Sequence, residues 1–254
     1  ESELLRMGKG EYDLSEMYVV RNNYVDRLKN NYLRQGKGNT DEGGQSHDWM
    51  TIFVESGIVP EEVYPGINYN STTHNHQELN SYLKAVAQVS VDLKKESPQY
   101  ESVVNAILDT YLGKAPQSFS YKGVTYTPAT FAKSLGINPS DYVEITSMTH
   151  FPFYTKGVLE VPDNWRMEKF YNVPLDELIE IMNYALNNGY TVDWDGDTSE
   201  DGFSNRKGVA LFSSSNVTQD MRQAMFENFT TTDDHMMHIT GLTTDQNGNK
   251  YYIT

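Results

Sequence analysis

The spacing of apolar residues changes character near residue 140, and that change limits the folds open to this chain. Before it, apolar side chains recur three and four apart. Leu14, Met17, Tyr18, Val25, Leu28 and Tyr32 predict a helix from an Asp13 cap to about Leu33. Ser46 or His47 opens the next, with Trp49, Ile52 and Phe53 inside it and Gly57 just past its end. Amphipathic helices over 77–95 and 100–112 follow, then a small hairpin over 118–126. A short helix behind Thr127-Pro128 ends at Gly136. After residue 140 the pattern alternates. Segments 142–146, 158–161, 190–194 and 208–212 read as strands. Two helices interrupt them, one with Pro174 at its first position and one capped by Thr218. Helices first and strands later is an α+β order. The expected divisions are a helical half over 1–66, a helical insertion over 67–140 and a β-rich half over 141–254.

The last stretch, TTTDDHMMHITGLTTDQNGNKYYIT, reads as a strand, a turn and a returning strand. Asn247-Gly248 supplies the positive-φ chemistry of a tight hairpin. His235 stands at the mouth of the first strand, behind Asp233 and Asp234. A histidine in such a place is more often a satisfied structural residue than a catalyst. The helix ending near Met7 has no start signal, and the final strand runs up to Thr254. Both ends are therefore expected to continue in a longer protein.

A formal charge of −15 repels phosphate backbones and anionic lipid, which argues against nucleic-acid and membrane partners. No apolar run approaches the length of a transmembrane helix. The chain has no cysteine, so these residues hold no disulfide, no thiolate metal site and no thiol nucleophile. Compartment stays open on these grounds. P-loop, dinucleotide and HExxH motifs are absent. Asp193, Asp195 and Asp197 are spaced like calcium ligands. However, Thr198 stands at position six and Ser204 at position twelve, where an EF-hand needs Gly and Glu. A solvated acidic loop is the expectation there, with a calcium-dependent module as a weak alternative. His74 and His76 are likewise expected in solvent. Met221, Met225, Met236 and Met237 read as core filling. Gly43-Gly44 reads as a tight turn or, more sharply, as a backbone that an extended ligand approaches closely. No metal or other cofactor is expected.

Several separate segments resemble one family. ESELLRMGKGEYDLSEMYVVR, DEGGQSHDWMTIFVESGIVPEEVYPG, WRMEKFYNVPLDELIEIMNYALNNGYTVDWDGDTSEDGF and DDHMMHITGL are similar to the bleomycin hydrolase and aminopeptidase C branch of the papain-like cysteine peptidases. The resemblance implies a papain-like fold, with a helical half, an antiparallel β half and an inserted helical segment. It implies His235 as general base, Gly43 and Gly44 as backbone that pairs with a peptide substrate, and Asp233, Asp234 and Met236 beside the substrate's side chain. It implies acyl transfer through a thiolate–imidazolium pair, and aminopeptidase action in particular. The family's nucleophilic Cys and oxyanion Gln are expected upstream of Glu1 and its orienting Asn beyond Thr254, so the chain alone is expected to be inactive. Assembly as a homohexamer and a cytoplasmic setting are implied by resemblance only; an exported form stays open. The competing reading is a peptide-binding or scaffold protein of the same fold that has lost its nucleophile.

Overall fold

The structure is a computed structural model that describes residues 1–212 and 216–254. It divides into two compact units, Glu3–Asp141 and Tyr142–Thr254, with Glu1 counted in the first and Ser2 in the second.

The first unit carries six α-helices and one hairpin. These are α1 (Ser2–Arg6), α2 (Glu16–Leu33), α3 (Ser46–Glu55), α4 (Gln77–Leu93), α5 (Tyr100–Leu112), β1 (Phe119–Tyr121), β2 (Val124–Tyr126) and α6 (Pro128–Leu135). Its core is continuous. Leu28 of α2, Ile52 and Phe53 of α3, Leu79 and Leu83 of α4, Val104 and Leu108 of α5, and Phe131 of α6 are all buried in one cluster. The cap of α2 differs from expectation. Ser15, not Asp13, holds the helix start, its Oγ accepting the Tyr18 N–H at 3.0 Å. The same Oγ donates to the Tyr64 carbonyl at 2.5 Å, and Ser15 is fully buried. A buried hydroxyl that satisfies two backbone groups outcompetes an exposed Asp two residues earlier.

The second unit is built from short strands. Strands β3 (Ile145–Thr146), β4 (Lys156–Val158) and β5 (Lys169–Asn172) form a three-stranded sheet in the order β3-β5-β4, with β3 parallel and β4 antiparallel to β5. Helix α7 (Leu175–Asn187) follows, with Pro174 at its N-cap position, one residue before the place the sequence suggests. Then come β6 (Val192–Gly196), β7 (Phe203–Ser204), β8 (Val209–Ala210) and α8 (Gln219–Glu227), and finally β9 (His235–Ile239), β10 (Gly241–Thr244) and β11 (Lys250–Ile253). The expected strands over 142–146, 158–161 and 208–212 shrink to two or three paired residues, and the second moves upstream to 156–158. Side-chain amides shielded to different degrees help hold this unit. Gln219 Oε1 accepts from Ser147 Oγ at 3.0 Å and from the Leu175 N–H at 2.8 Å. Gln223 Oε1 accepts the Thr149 N–H at 2.6 Å. Such bonds give orphan N–H groups at a helix start and in loops a partner out of water.

The final segment departs most from its reading as one strand and its return. At Thr240 the chain changes partner. β9 pairs antiparallel with β6, whereas β10 pairs with β11. Asp245 organises the turn between β10 and β11, its Oδ1 accepting the N–H groups of Asn247 and Asn249.

Candidate functional site

The residues singled out in the sequence lie in both units, and each group has its own local construction.

In the first unit, Asp41 to Gln45 is a non-helical approach to α3. Gly43 has φ +97°, a conformation that L side chains rarely adopt. Its carbonyl accepts from Arg27 Nη2 at 2.6 Å, and Arg27 Nη1 donates to the Asp41 carbonyl. Arg27 projects from α2 and is only 4% exposed, so its planar fork pins the loop from below. Gly44 sits against Asp48: a Cβ at Gly44 would lie 2.5 Å from Asp48 Oδ2. That same oxygen accepts the Gln45 N–H at 3.2 Å at the start of α3. No hydrogen bond among the described residues engages the amide or carbonyl of Gly44. The glycine pair therefore does two different jobs. Gly43 meets a backbone requirement, and Gly44 makes room for a buried carboxylate.

In the second unit, His235 is the first residue of β9, exposed, and opposite Gly196 of β6. Register fixes the neighbours of each face, because strand side chains alternate. His235, Met237 and Ile239 share one face with Val192, Trp194 and Gly196. Met236 and His238 share the other with Asp193 and Asp195. Gly196 is required here, since a Cβ on it would fall 2.0 Å from Cζ2 of the Trp194 ring.

The two acids before His235 have separate environments. Asp234 is a structural acceptor: Oδ1 takes the N–H of Thr198 at 2.8 Å and its hydroxyl at 2.9 Å, and Oδ2 takes the Ser199 N–H at 3.2 Å. Its own N–H donates to the Gly196 carbonyl at 3.3 Å. Asp233 is half-buried, with Oδ2 shielded from solvent and lacking a hydrogen-bond partner among the described residues. Burial, reinforced by the nearby carboxylates Asp163 and Asp195, pushes its pKa up to about 6.

The stretch expected as a solvated acidic loop is instead the frame that delivers His235. Asp193 and Asp195 lie on strand β6. Asp197 is only 7% exposed and bridges two segments. Its Oδ1 accepts the N–H and hydroxyl of Ser199, and its Oδ2 accepts the N–H and hydroxyl of Thr232. Burial alone would raise this carboxyl; the four hydrogen bonds from Ser199 and Thr232 outweigh it and hold the pKa at about 2. Thr231 adds a bond to Glu200 at 2.7 Å. Residues 231–234 are thus tied down by side chains before β9 begins. Arg27 and Asp48 escaped the sequence reading, and Asp197 was singled out there only as one acid of a solvated loop. The available signal was Asp197-Thr198-Ser199, an Asx-turn pattern in which a carboxylate folds back on the amide two residues on.

Comparison with known proteins decides the family. The Peptidase C1-like family profile matches residues 19–253. The chain belongs to the Peptidase C1-like family. Aminopeptidase C of Streptococcus thermophilus is 26% identical over 246 residues, covering 82% of this chain and 54% of that protein. Aminopeptidase C of Lactococcus lactis subsp. cremoris is 26% identical over 181 residues, covering 61% of this chain and 41% of that one. The chain spans about half the length of the curated relatives it matches. The crystal structure of PepW from Lactobacillus rhamnosis HN001 superposes with a TM-score of 0.68 at 19% identity, over 94% of this chain and 65% of that one. The α+β architecture is accordingly that of a papain-like peptidase, and the resemblance to the aminopeptidase C branch holds.

Proposed function

We propose that this chain is the body of a cysteine peptidase that removes amino-terminal residues from peptides, with His235 as its general base and acid. What carries the reading is the placement of His235: an exposed imidazole at the head of a strand whose approach, residues 231–234, is bound through Asp197 and Asp234. A proton-transfer group needs such a fixed backbone beneath a side chain that substrate can reach. The aminopeptidase C names of the two relatives supply the substrate class.

In the proposed reaction a thiolate attacks the carbonyl carbon of the scissile amide. The imidazolium of His235 passes its proton to the departing amine nitrogen. A water then gives its proton to the neutral imidazole and its oxygen to the thioester carbon, which releases the acid and restores the pair. The thiol must come from outside these 254 residues, which contain no cysteine. The open backbone of Gly44 supports its role as an edge for the peptide to pair with. Asp233 and Met236 are proposed to border the substrate. For Asp234, whose carboxylate is engaged by Thr198 and Ser199, the proposed contribution is to position His235.

The test starts with the coding sequence on either side of Glu1 and Thr254. The encoded product is treated with an epoxide probe for reactive thiols and weighed. One adduct on a cysteine, lost in His235→Ala, is the expected result. A product with no cysteine, or one whose cysteine labels equally with and without His235, overturns the catalytic reading and leaves a peptide-binding protein of the same fold.

A further inference from the structure

The first unit contains a cavity of about 530 Å³ next to the glycine pair, within the range of about 300–1,000 Å³ common for ligand pockets. It is open to solvent and lined by α2, by Asp41 to Gly43 and by the His74–Gln77 segment. Met17 and Val20 supply apolar surface. Tyr24, His74 and His76 form an aromatic wall, with the Tyr24 and His76 rings 6.0 Å apart and the two histidine rings 5.9 Å apart at 87°. His76 is therefore not the solvated residue that the sequence suggests. It is half-buried, with Tyr24 Oη 3.4 Å from its Nδ1 and a shielded Nε2 that lacks a hydrogen-bond partner.

The charges around this cavity are unevenly spent. Arg27 is committed to the carbonyls of Asp41 and Gly43. The Asp41 carboxylate is paired with Lys84. Glu42 is exposed, and no hydrogen bond or ion pair among the described residues engages it. Its field nevertheless reaches the wall. After burial, which dominates both, the Glu42 charge helps raise the Tyr24 hydroxyl, against the pull of Arg27, and opposes the downward shift of His76, which His74 reinforces. The cavity thus presents an unmatched carboxylate, aromatic faces and an apolar floor. That combination suits a cation on an aliphatic stem: the stem covers the apolar surface, the head meets the carboxylate and the rings add cation–π attraction.

We propose that this cavity binds the side chain of a lysine or arginine, with Glu42 as its counter-ion. Taken with the reading of Gly44 as the edge that pairs with peptide, on which this step rests, the cavity selects peptides carrying a basic residue next to the paired position. The strongly acidic balance of the whole chain favours the approach of such peptides.

Two titrations on the 254-residue chain test the cavity and the peptide reading separately. The first uses agmatine, a guanidinium on an aliphatic amine, followed by two-dimensional NMR. Saturable shifts at Tyr24 and His76 that weaken at least about tenfold in Glu42→Gln, near 1.4 kcal/mol, are expected. No saturable shift, or one unchanged by Glu42→Gln, overturns the cavity assignment. The second compares tripeptides with a free amino terminus and an amidated carboxyl end that differ only in a lysine, norleucine or glutamate. Preference for lysine over norleucine that disappears in Glu42→Gln is expected. Equal binding of all three, or a lysine preference that survives Glu42→Gln, overturns the selectivity. Binding of agmatine but of no peptide would refute the pairing role of Gly44 and the selection of basic peptides while keeping the cavity.

Discussion

Asp197 Oδ2 accepts the backbone N–H of Thr232 at 2.8 Å, while its Oδ1 accepts the Ser199 N–H at the same distance. One nearly buried carboxylate therefore joins the end of β6 to the segment that leads into His235. Hydrogen bonds to a charged acceptor are each worth about 1.5–3 kcal/mol, and their loss strands donors out of water. Asp197→Ala is expected to lower stability by about 2–4 kcal/mol in urea unfolding. Asp197→Asn should recover little, because its amide nitrogen cannot accept. The folded pKa, about 2, lies below the 3.8 of an aspartate free of the fold. The contribution is therefore complete above pH 4 and lost as pH falls toward 2. Unchanged stability of both variants at pH 7 would show that the bridge is incidental.

Asp233 has the opposite sign. Its folded pKa of about 6 exceeds the 3.8 expected without the fold, so the folded protein resists ionising it. The native state binds more protons than the unfolded one between about pH 4 and 6. Stability falls across that window and stays lower above it. Asp233→Asn keeps an acceptor oxygen but removes the charge beside Asp163 and Asp195. It is expected to raise the melting temperature at pH 7.5 and to leave it unchanged near pH 3.5. A destabilised Asp233→Asn at pH 7.5 would mean that the ionised carboxylate is needed.

Periodicity carried the helical unit well. Leu79, Leu83, Val104 and Leu108 all face the core that their spacing implies, since burial of one helical stripe is what periodicity reports. It carried the second unit poorly. Strands of two to five residues leave little alternation to read, and much of the cohesion there comes from Gln219, Gln223, Asp197 and Asn172, polar side chains whose partners are distant in sequence. His235 was legible as a strand-head histidine, but only resemblance gave it a role. Its support was hidden in Asp193 to Ser199, where acidity suggested solvent. Arg27 carries no signal at all on α2, because its worth lies in carbonyls fourteen and sixteen residues away.

Gly44 tests the difference between a turn glycine and a packing glycine. Its backbone is not in the left-handed region, so an alanine meets no conformational strain. The obstacle is Asp48 Oδ2 at 2.5 Å, held between Gly44 and the Gln45 amide. Gly44→Ala must push that carboxylate off the start of α3, at a cost of about 1–2 kcal/mol, comparable to losing a helix cap. The double variant Gly44→Ala with Asp48→Ala is expected to be non-additive, because either change alone already breaks the same contact. Additive losses in a urea double-mutant cycle would place the two residues in separate roles.

Arg27 is a buried cation whose guanidinium spans two carbonyls of one loop, and a lysine cannot reproduce that fork. Arg27→Met leaves both carbonyls without their donor and is expected to cost about 2–4 kcal/mol, as for buried acceptors left unsatisfied. Arg27→Lys should fall between wild type and Arg27→Met, since one ammonium can satisfy one carbonyl. The loop should respond more than the core. In both variants, limited proteolysis is expected to cut first between residues 36 and 45, while amides of α5, remote in sequence from the loop, keep their exchange protection. Uniform loss of protection across the unit would instead make Arg27 a core residue. The loop would then depend on Asp48 and the Gly43 geometry alone.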